Sequence, residues 1–340
     1  MLMIPLSRPC VKPDLCGIVL SGALRYNGDS NTAKGDSIMI ETIRLHGTDL
    51  TVSRLCLGTV NFGAELNQQQ VNAHLDAFTA HGGNLIDTAH VYCNWMPGES
   101  SCSERAIGRW LKDHRREDVI LCTKGGHFDL PTPEISRVTP DNLRQDLEES
   151  LRYLQTDYID LYMLHRDNPA LPVEVIMDCL ASFVAEGKVR YLACSNWSAR
   201  RTAQANAYAA ERGQPGFVVN ELMWSMARIN RDTLPADYVM MDEEMMALGR
   251  ETGLSFMAFT ALAKGYFTRR WRGDPLPEGI QRTYGNPDND EQFRQLQHLG
   301  SAAEVTQASL RYFARQSVTA IPIVTCSSMA QLEECMSAFE

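Results

Sequence analysis

The sequence is short of cations, of paired cysteines and of long apolar runs, and each shortage excludes something. Its 32 Lys and Arg are outnumbered by 42 Asp and Glu, for a formal charge of -10. That balance disfavours sequence-independent attraction to nucleic acid or to an anionic membrane surface, although a local cationic pocket for a phosphate stays compatible with it. The ten cysteines include no C-x-x-C pair, and no two of the eight histidines stand in an H-x-H spacing, so neither a zinc site nor dithiol chemistry is expected and no metal is assigned. Scattered in this way, the cysteines read as free thiols of a reducing compartment, which makes the expected location cytoplasmic. No apolar run reaches the ~18 to 20 residues that span a bilayer, so no membrane contact is expected. Residues 15–24 form a short apolar stretch behind Arg8 and Lys12 that faintly resembles a secretory signal, but Pro13 and Asp14 interrupt the approach.

What is present is the composition of an ordinary globular chain. Of 340 residues, 44% are hydrophobic and 22% charged, enough apolar material for a sizeable core. Residues 1–38 carry Pro, Gly, Ser and Asn without sustained periodicity and read as a disordered extension. A second methionine, Met39, opens the regular part, residues 39–340, which reads as one domain. Residues 41–55 look like a hairpin turning at His46-Gly47.

Beyond the hairpin the chain alternates apolar runs with amphipathic stretches. The runs are 55–62, 84–89, 119–124, 158–165, 189–196, 217–224, 255–262 and 320–325. Helical patterns follow them at 68–81, 103–114, 140–154, 173–186, 199–212, 243–252, 303–315 and 329–339. Continuous apolar strands are buried on both faces, and each strand-then-helix unit implies a right-handed crossover. Eight such units close into a (β/α)8 TIM barrel, an α/β fold, here preceded by the N-terminal β-hairpin. A doubly wound sheet is the alternative, but no G-x-G-x-x-G follows the first strand. One connection, 264–290, is long and rich in Gly, Pro, Arg and Asn. As a loop after the seventh strand it reads either as a lid over a ligand, which is favoured, or as a solvated insertion.

Four titratable residues, Asp87, Tyr92, Lys124 and His165, stand at or just past the ends of apolar runs. Alone, each has an ordinary explanation: a cap, a solvated cation, a satisfied core imidazole. In a barrel, strand ends converge on one pocket, and together the four suit carbonyl reduction. Hydride delivery to a carbonyl leaves an alkoxide that needs a proton, which Tyr92 would donate. Lys124 would lower the pKa of the phenol, Asp87 would hold Lys124, and His165 would hydrogen-bond the carbonyl oxygen.

Leu57-Gly58-Thr59-Val60-Asn61-Phe62-Gly63, Leu85-Ile86-Asp87-Thr88-Ala89 with Tyr92, Thr123-Lys124-Gly125 and Asp160-Leu161-Tyr162-Met163-Leu164-His165 resemble the aldo-keto reductase family. The resemblance runs from about Ile43 to the last residue. It implies a barrel enzyme with NADPH or NADH as cofactor and a small aldehyde, ketone or sugar-like carbonyl as substrate. The main alternative it leaves is a non-catalytic regulatory subunit that binds the nucleotide. Oligomeric state is not indicated.

The same resemblance suggests a cofactor groove. Gly58 and Thr59 would line it, and Ser195-Asn196 would bond the nicotinamide carboxamide, assisted by Asn220 where relatives often have Gln; Asn220 reads equally as a strand-end residue. Phe259 would lie under the nicotinamide, or be ordinary packing, with Thr260, Leu262 and Lys264 turning about the pyrophosphate. Thr325, Ser327, Ser328 and Glu334 would border the adenosine end. Relatives that prefer NADPH carry Lys or Arg after the eighth strand, whereas residues 325–331 here hold no cation, so the preference is left open. Trp95, Trp197 and Trp224 near strand ends hint at a sugar-binding surface or, equally, at core packing. The chain stops at Glu340, inside the expected last helix, where family members continue, so a truncated C-terminus is expected.

Overall fold

A strand buried on both faces needs two different apolar partners, and alternation of side chains supplies them. In the computed structural model, which describes residues 39–340, the eight apolar runs become the strands of a closed parallel barrel. The reading of 1–38 as a disordered extension lies outside the described residues. The hairpin β1 (Thr42–Arg44) and β2 (Thr51–Ser53) precedes the barrel strands. These are β3 (Cys56–Gly58), β4 (Leu85–Asp87), β5 (Ile120–Gly125), β6 (Ile159–Leu164), β7 (Val189–Ser195), β8 (Phe217–Met223), β9 (Ser255–Phe259) and β10 (Ala320–Val324). Each pairs with its successor in sequence, and β10 closes the ring on β3.

The helices are α1 (Gln68–Ala80), α2 (Cys102–Leu111), α3 (Pro140–Leu154), α4 (Val173–Ala185), α5 (Ala199–Glu211), α6 (Glu243–Thr252), α7 (Tyr266–Arg272), α8 (Glu278–Tyr284), α9 (Pro287–Leu296), α10 (Ala302–Ala314) and α11 (Met329–Met336). Their starts follow from local chemistry. Asn67 caps α1 in a reciprocal box with Gln70, Thr139 caps α3 ahead of Pro140, and Ser198 and Asp242 cap α5 and α6. Among the described residues no helix is long and apolar enough to cross a membrane.

Two apolar layers set the phase of every strand. Leu57, Ile86, Leu121, Tyr162, Leu192, Leu222 and Phe256 face the helices. Cys56, Leu85, Cys122, Met163, Ala193, Val219, Met257 and Ile323 fill the barrel interior. With a side-chain period of two, the next inward positions towards the carboxyl ends are Gly58, Asp87, Lys124, His165, Ser195, Glu221, Phe259 and Thr325. One residue from each strand thus joins a ring at the top of the barrel. Gly58 is small for a reason: a Cβ there would lie 2.7 Å from Ile323 Cγ2 and 2.9 Å from Thr325 Oγ1.

Two expectations need correction. The segment 264–290 is not an open loop but mostly helix, holding α7, α8 and the start of α9. Its breakers are boundary residues: Gly273 is the left-handed C-cap of α7, Pro277 precedes α8, and Asn286-Pro287 starts α9. Tyr266, Phe267, Ile280 and Tyr284 pack with Met223, Ile229 and Val305 in a separate apolar cluster, so this part is an internally packed helical insertion. The last helix, in turn, ends at Met336, and Glu340 lies past it rather than inside it.

Candidate active site

The strand-end ring opens into a cavity of about 500 Å³ at the carboxyl ends of the strands. Asp87, Tyr92 and His165 line it, and Lys124 lies directly behind them with no exposure at all. Asp87 ends β4, Lys124 lies near the end of β5, and His165 directly follows β6. Tyr92 comes from the β4 to α2 connection, whose next residue, Cys93, has a left-handed backbone with φ of 75°.

Lys124 organises the group. Its Nζ donates to Asp87 Oδ1, to the carbonyl of Thr88 at 3.0 Å and to Tyr92 Oη at 3.4 Å. An ammonium has three N–H donors, so these partners use all of them. A second carboxyl oxygen, Glu221 Oε2, lies 3.5 Å from the same Nζ and accepts no hydrogen bond. Burial opposes the charge on Lys124, but Asp87 and Glu221 outweigh it and hold the ammonium well above its usual range.

The other shifts follow from burial. Burial drives the Tyr92 phenol upward, and Asp87 and Glu221 add to this while Lys124 opposes it. Lys124 does pull the phenol down as expected, but desolvation, the largest effect, and the two flanking carboxyls outweigh it, so the net direction is upward rather than below the ordinary value. Burial, with Arg166, His127 and Lys124 nearby, pushes His165 well below its usual range, leaving a neutral imidazole whose Nδ1 has no partner. The ring of Tyr92 meets that of His165 edge to face at 6.0 Å.

Of the residues expected to hold a cofactor, Gly58, Thr59, Ser195, Asn196, Phe259, Thr260, Leu262, Lys264 and Thr325 line the cavity. Asn196 has a left-handed backbone, φ 59°, and its Oδ1 accepts from the Val239 N–H at 3.1 Å. Thr260, Ala263 and Lys264 are also left-handed, with φ of 55°, 50° and 54°, so the turn after β9 is a strained one at the pocket rim.

Four residues of the expected groove do not line this cavity. Asn220 faces the helices, not the pocket: its Nδ2 donates to the carbonyl of Trp197 at 2.9 Å and to Thr202 Oγ1 at 3.1 Å. Strand phase is the reason, since Val219 points inward and so does Glu221. Ser327 and Ser328 are exposed and Glu334 is half-buried, and none of the three lines the cavity. Ser328 instead caps α11. Trp197 and Trp224 are core residues, and only Trp95 of the three tryptophans reaches the pocket.

The sequence reading missed Glu221, Arg166, His127, Leu130 and Tyr238, all of which line the cavity. Two-residue alternation from Val219 was the available signal for Glu221. At the mouth, Trp95, Leu130 and Tyr238 are 49%, 40% and 36% exposed and form an apolar rim.

The closed barrel and a pocket of convergent titratable groups at its carboxyl face define a barrel enzyme of the reductase kind. The family comparison makes this specific: the model of the aldo/keto reductase family matches residues 54–340, and the chain belongs to that family. Its relatives are distant. Aldo-keto reductase ausK of Aspergillus calidoustus is 28% identical over 316 residues, covering 85% of this chain and 75% of that one. The uncharacterized oxidoreductase YrpG of Bacillus subtilis is 28% identical, covering 88% and 91%. Norsolorinic acid reductase B of Dothistroma septosporum is 27% identical, covering 92% and 81%. The chain is thus an oxidoreductase of that family, homologous to reductases.

Proposed function

We propose that this protein reduces an aldehyde, ketone or sugar-type carbonyl to the alcohol with NADPH or NADH, and that Tyr92 is its proton donor. The observation that carries the reading is the 3.4 Å contact between Lys124 Nζ and Tyr92 Oη in the pocket wall, with Asp87 holding the ammonium and His165 across the phenol ring.

The pocket suits a nicotinamide nucleotide. Ser195 and Asn196 present a hydroxyl and an amide where a carboxamide needs partners, Phe259 offers an apolar face, and the turn from Thr260 to Lys264 offers backbone and a cation where phosphates would pass. When bound, that nucleotide supplies the hydride.

The chain's own residues do the rest. Burial keeps the Tyr92 phenol protonated in the resting site, and an alkoxide is a far stronger base than a phenolate, so transfer of the proton to the new alcohol oxygen runs downhill. The phenolate then left behind lies within reach of the Lys124 ammonium, which stabilises it. His165, neutral and with little exposure, keeps an N–H to donate to the carbonyl oxygen and orient it. The rim of Trp95, Leu130 and Tyr238 favours a carbonyl borne on an apolar or ring-shaped body. Two of the relatives are named as norsolorinic acid reductases.

The test is a panel of aliphatic aldehydes, aryl ketones and sugars, assayed with both nucleotides. Turnover that Tyr92→Phe lowers by about 10² or more while nucleotide binding persists is the expected result. No turnover of any substrate, or full activity in Tyr92→Phe, overturns it.

A further inference from the structure

Glu221 is the one group of the buried cluster that the mechanism leaves unused. It projects from β8 into the cavity, 3% exposed, and its Oε2 accepts no hydrogen bond. It is also surplus in charge. Asp87 already neutralises Lys124, and the three N–H groups of Lys124 point to Asp87, Thr88 and Tyr92, so Glu221 has the ammonium's field but none of its hydrogens.

Its position is fixed by the residues that would meet the nicotinamide. The carbonyl of Glu221 accepts from the Asn196 N–H at 3.0 Å and from Ser195 Oγ at 3.1 Å. β8 is thereby tied to β7, and Glu221, the register partner of Ser195, lines the same cavity as Ser195 and Asn196. We propose that Glu221 is a charge-selecting residue: ionised it favours the oxidised, cationic nicotinamide, and protonated it favours the reduced, neutral one. The inference rests on the reading above that a nicotinamide nucleotide occupies this pocket.

The physical argument is one of balance in a low dielectric. Burial first, and the neighbouring Asp87 second, push the Glu221 carboxyl up to about 8, against the pull of Lys124. In the resting pocket near neutral pH it therefore carries a proton, while Asp87 is the carboxyl paired with Lys124. A neutral ring alongside leaves that state undisturbed. A cationic ring replaces the proton: Glu221 O–H breaks, the proton leaves to solvent, and the carboxylate pairs with the ring. Binding of the oxidised nucleotide should accordingly release a proton and tighten as pH rises, while binding of the reduced form should not.

The groups facing Glu221 are Asp87 on β4, Lys124 and Cys122 on β5, Tyr92 in the loop above and Cys56 on β3, and all of them survive in Glu221→Gln. The experiment titrates the unmodified protein and Glu221→Gln with NAD+ and NADH from pH 6.5 to 8.5. In the unmodified protein the ratio of Kd for NAD+ to Kd for NADH should fall by about tenfold across that range. In Glu221→Gln it should move by less than about twofold. A ratio that is flat in the unmodified protein, or equally steep in the variant, overturns the proposal while leaving nucleotide binding intact. Failure of both nucleotides to bind overturns the functional reading instead. If Glu221→Gln does not fold, calorimetry of the unmodified protein at pH 7 in two buffers of different ionisation enthalpy decides: release of roughly half to one proton with NAD+ and none with NADH is expected, and equal proton release with both overturns the inference.

Discussion

Lys124 Nζ lies 3.5 Å from Glu221 Oε2 while making its hydrogen bonds to other partners, so two buried carboxyls share the field of one ammonium. The arrangement keeps Lys124 charged and makes Glu221 the carboxyl that holds a proton.

That relationship fixes a sign for stability against pH. An acid whose pKa is higher folded than unfolded binds more protons in the folded state between the two values, so stability falls as pH rises through that window. For Glu221 the window runs from the ordinary carboxylate value of 4.5 to about 8. Glu221→Gln removes this contribution. Thermal melts from pH 5 to 8.5 should show the variant gaining on the unmodified protein as pH rises, by roughly 2 °C or more at the upper end. A variant that loses ground to the unmodified protein as pH rises contradicts the assignment.

Replacing Lys124 with Met should harm both chemistry and folding. Tyr92 loses the cation that stabilises its phenolate, so kcat should fall by about 10² or more, with the phenol displaced still further upward. Asp87 loses its only ion-pair partner among the described residues, which in buried pairs costs roughly 3 to 5 kcal/mol where the carboxyl stays ionised. Proton uptake by Asp87 limits the loss at low pH. The destabilisation should therefore grow from pH 5 to pH 8, which chemical denaturation at both pH values measures; a pH-independent loss would mean that packing of the lysine stem matters more than its charge.

How much of this was legible in the sequence depended on the range of the physics involved. All eight strands and one amphipathic helix after each were readable because apolar periodicity is local, and Asp87, Lys124 and His165 were readable because each stands at or near the end of an apolar run. Glu221 was missed because β8 is apolar on both faces apart from two adjacent polar residues, and only the phase set by Val219 says which of them looks inward. The insertion after β9 was misread because Gly, Pro and Asn serve helix ends as readily as loops; its three helices are short and owe their stability to Tyr266, Phe267 and Tyr284 meeting residues distant in the chain. The net shift of Tyr92 was illegible because it depends first on how deeply the fold buries the phenol and then on two carboxyls from different strands.

The placement of Asn220 is testable by separating stability from binding. Its amide ties β8 to the Trp197 carbonyl and to Thr202 on α5, both buried. Asn220→Ala strands the acceptors and should cost about 1 to 3 kcal/mol in urea unfolding. Nucleotide Kd, measured well below the melting temperature, should change by less than about threefold. Loss of binding without loss of stability would return Asn220 to the pocket.

Cofactor choice is the sharpest remaining prediction. NADPH differs from NADH by a 2′-phosphate, which proteins reward chiefly with short ionic hydrogen bonds from Arg or Lys. Residues 325–331 hold no cation, and Gln331 is already engaged, its Oε1 accepting from the Ser327 N–H at 2.8 Å. The Ser328 hydroxyl likewise accepts the Gln331 N–H as the cap of α11. Only backbone and hydroxyl groups remain at this end, so the preference for NADPH over NADH should stay within about tenfold, equivalent to ~1.4 kcal/mol. Gln331→Arg should raise it by strengthening NADPH binding alone, less a small loss from the broken Ser327 contact. Fluorescence titration of both nucleotides at two salt concentrations measures this, because an ionic gain weakens with salt and a hydroxyl contact does not. A hundredfold NADPH preference in the unmodified protein would place the phosphate elsewhere, and the cations to test are then Lys264, exposed on the pocket rim, and the exposed Arg269, whose Nε lies 3.6 Å from where a Cβ on Gly265 would be. Lys264→Met and Arg269→Met would separate them: whichever removes the preference marks the site, and the other should leave it unchanged.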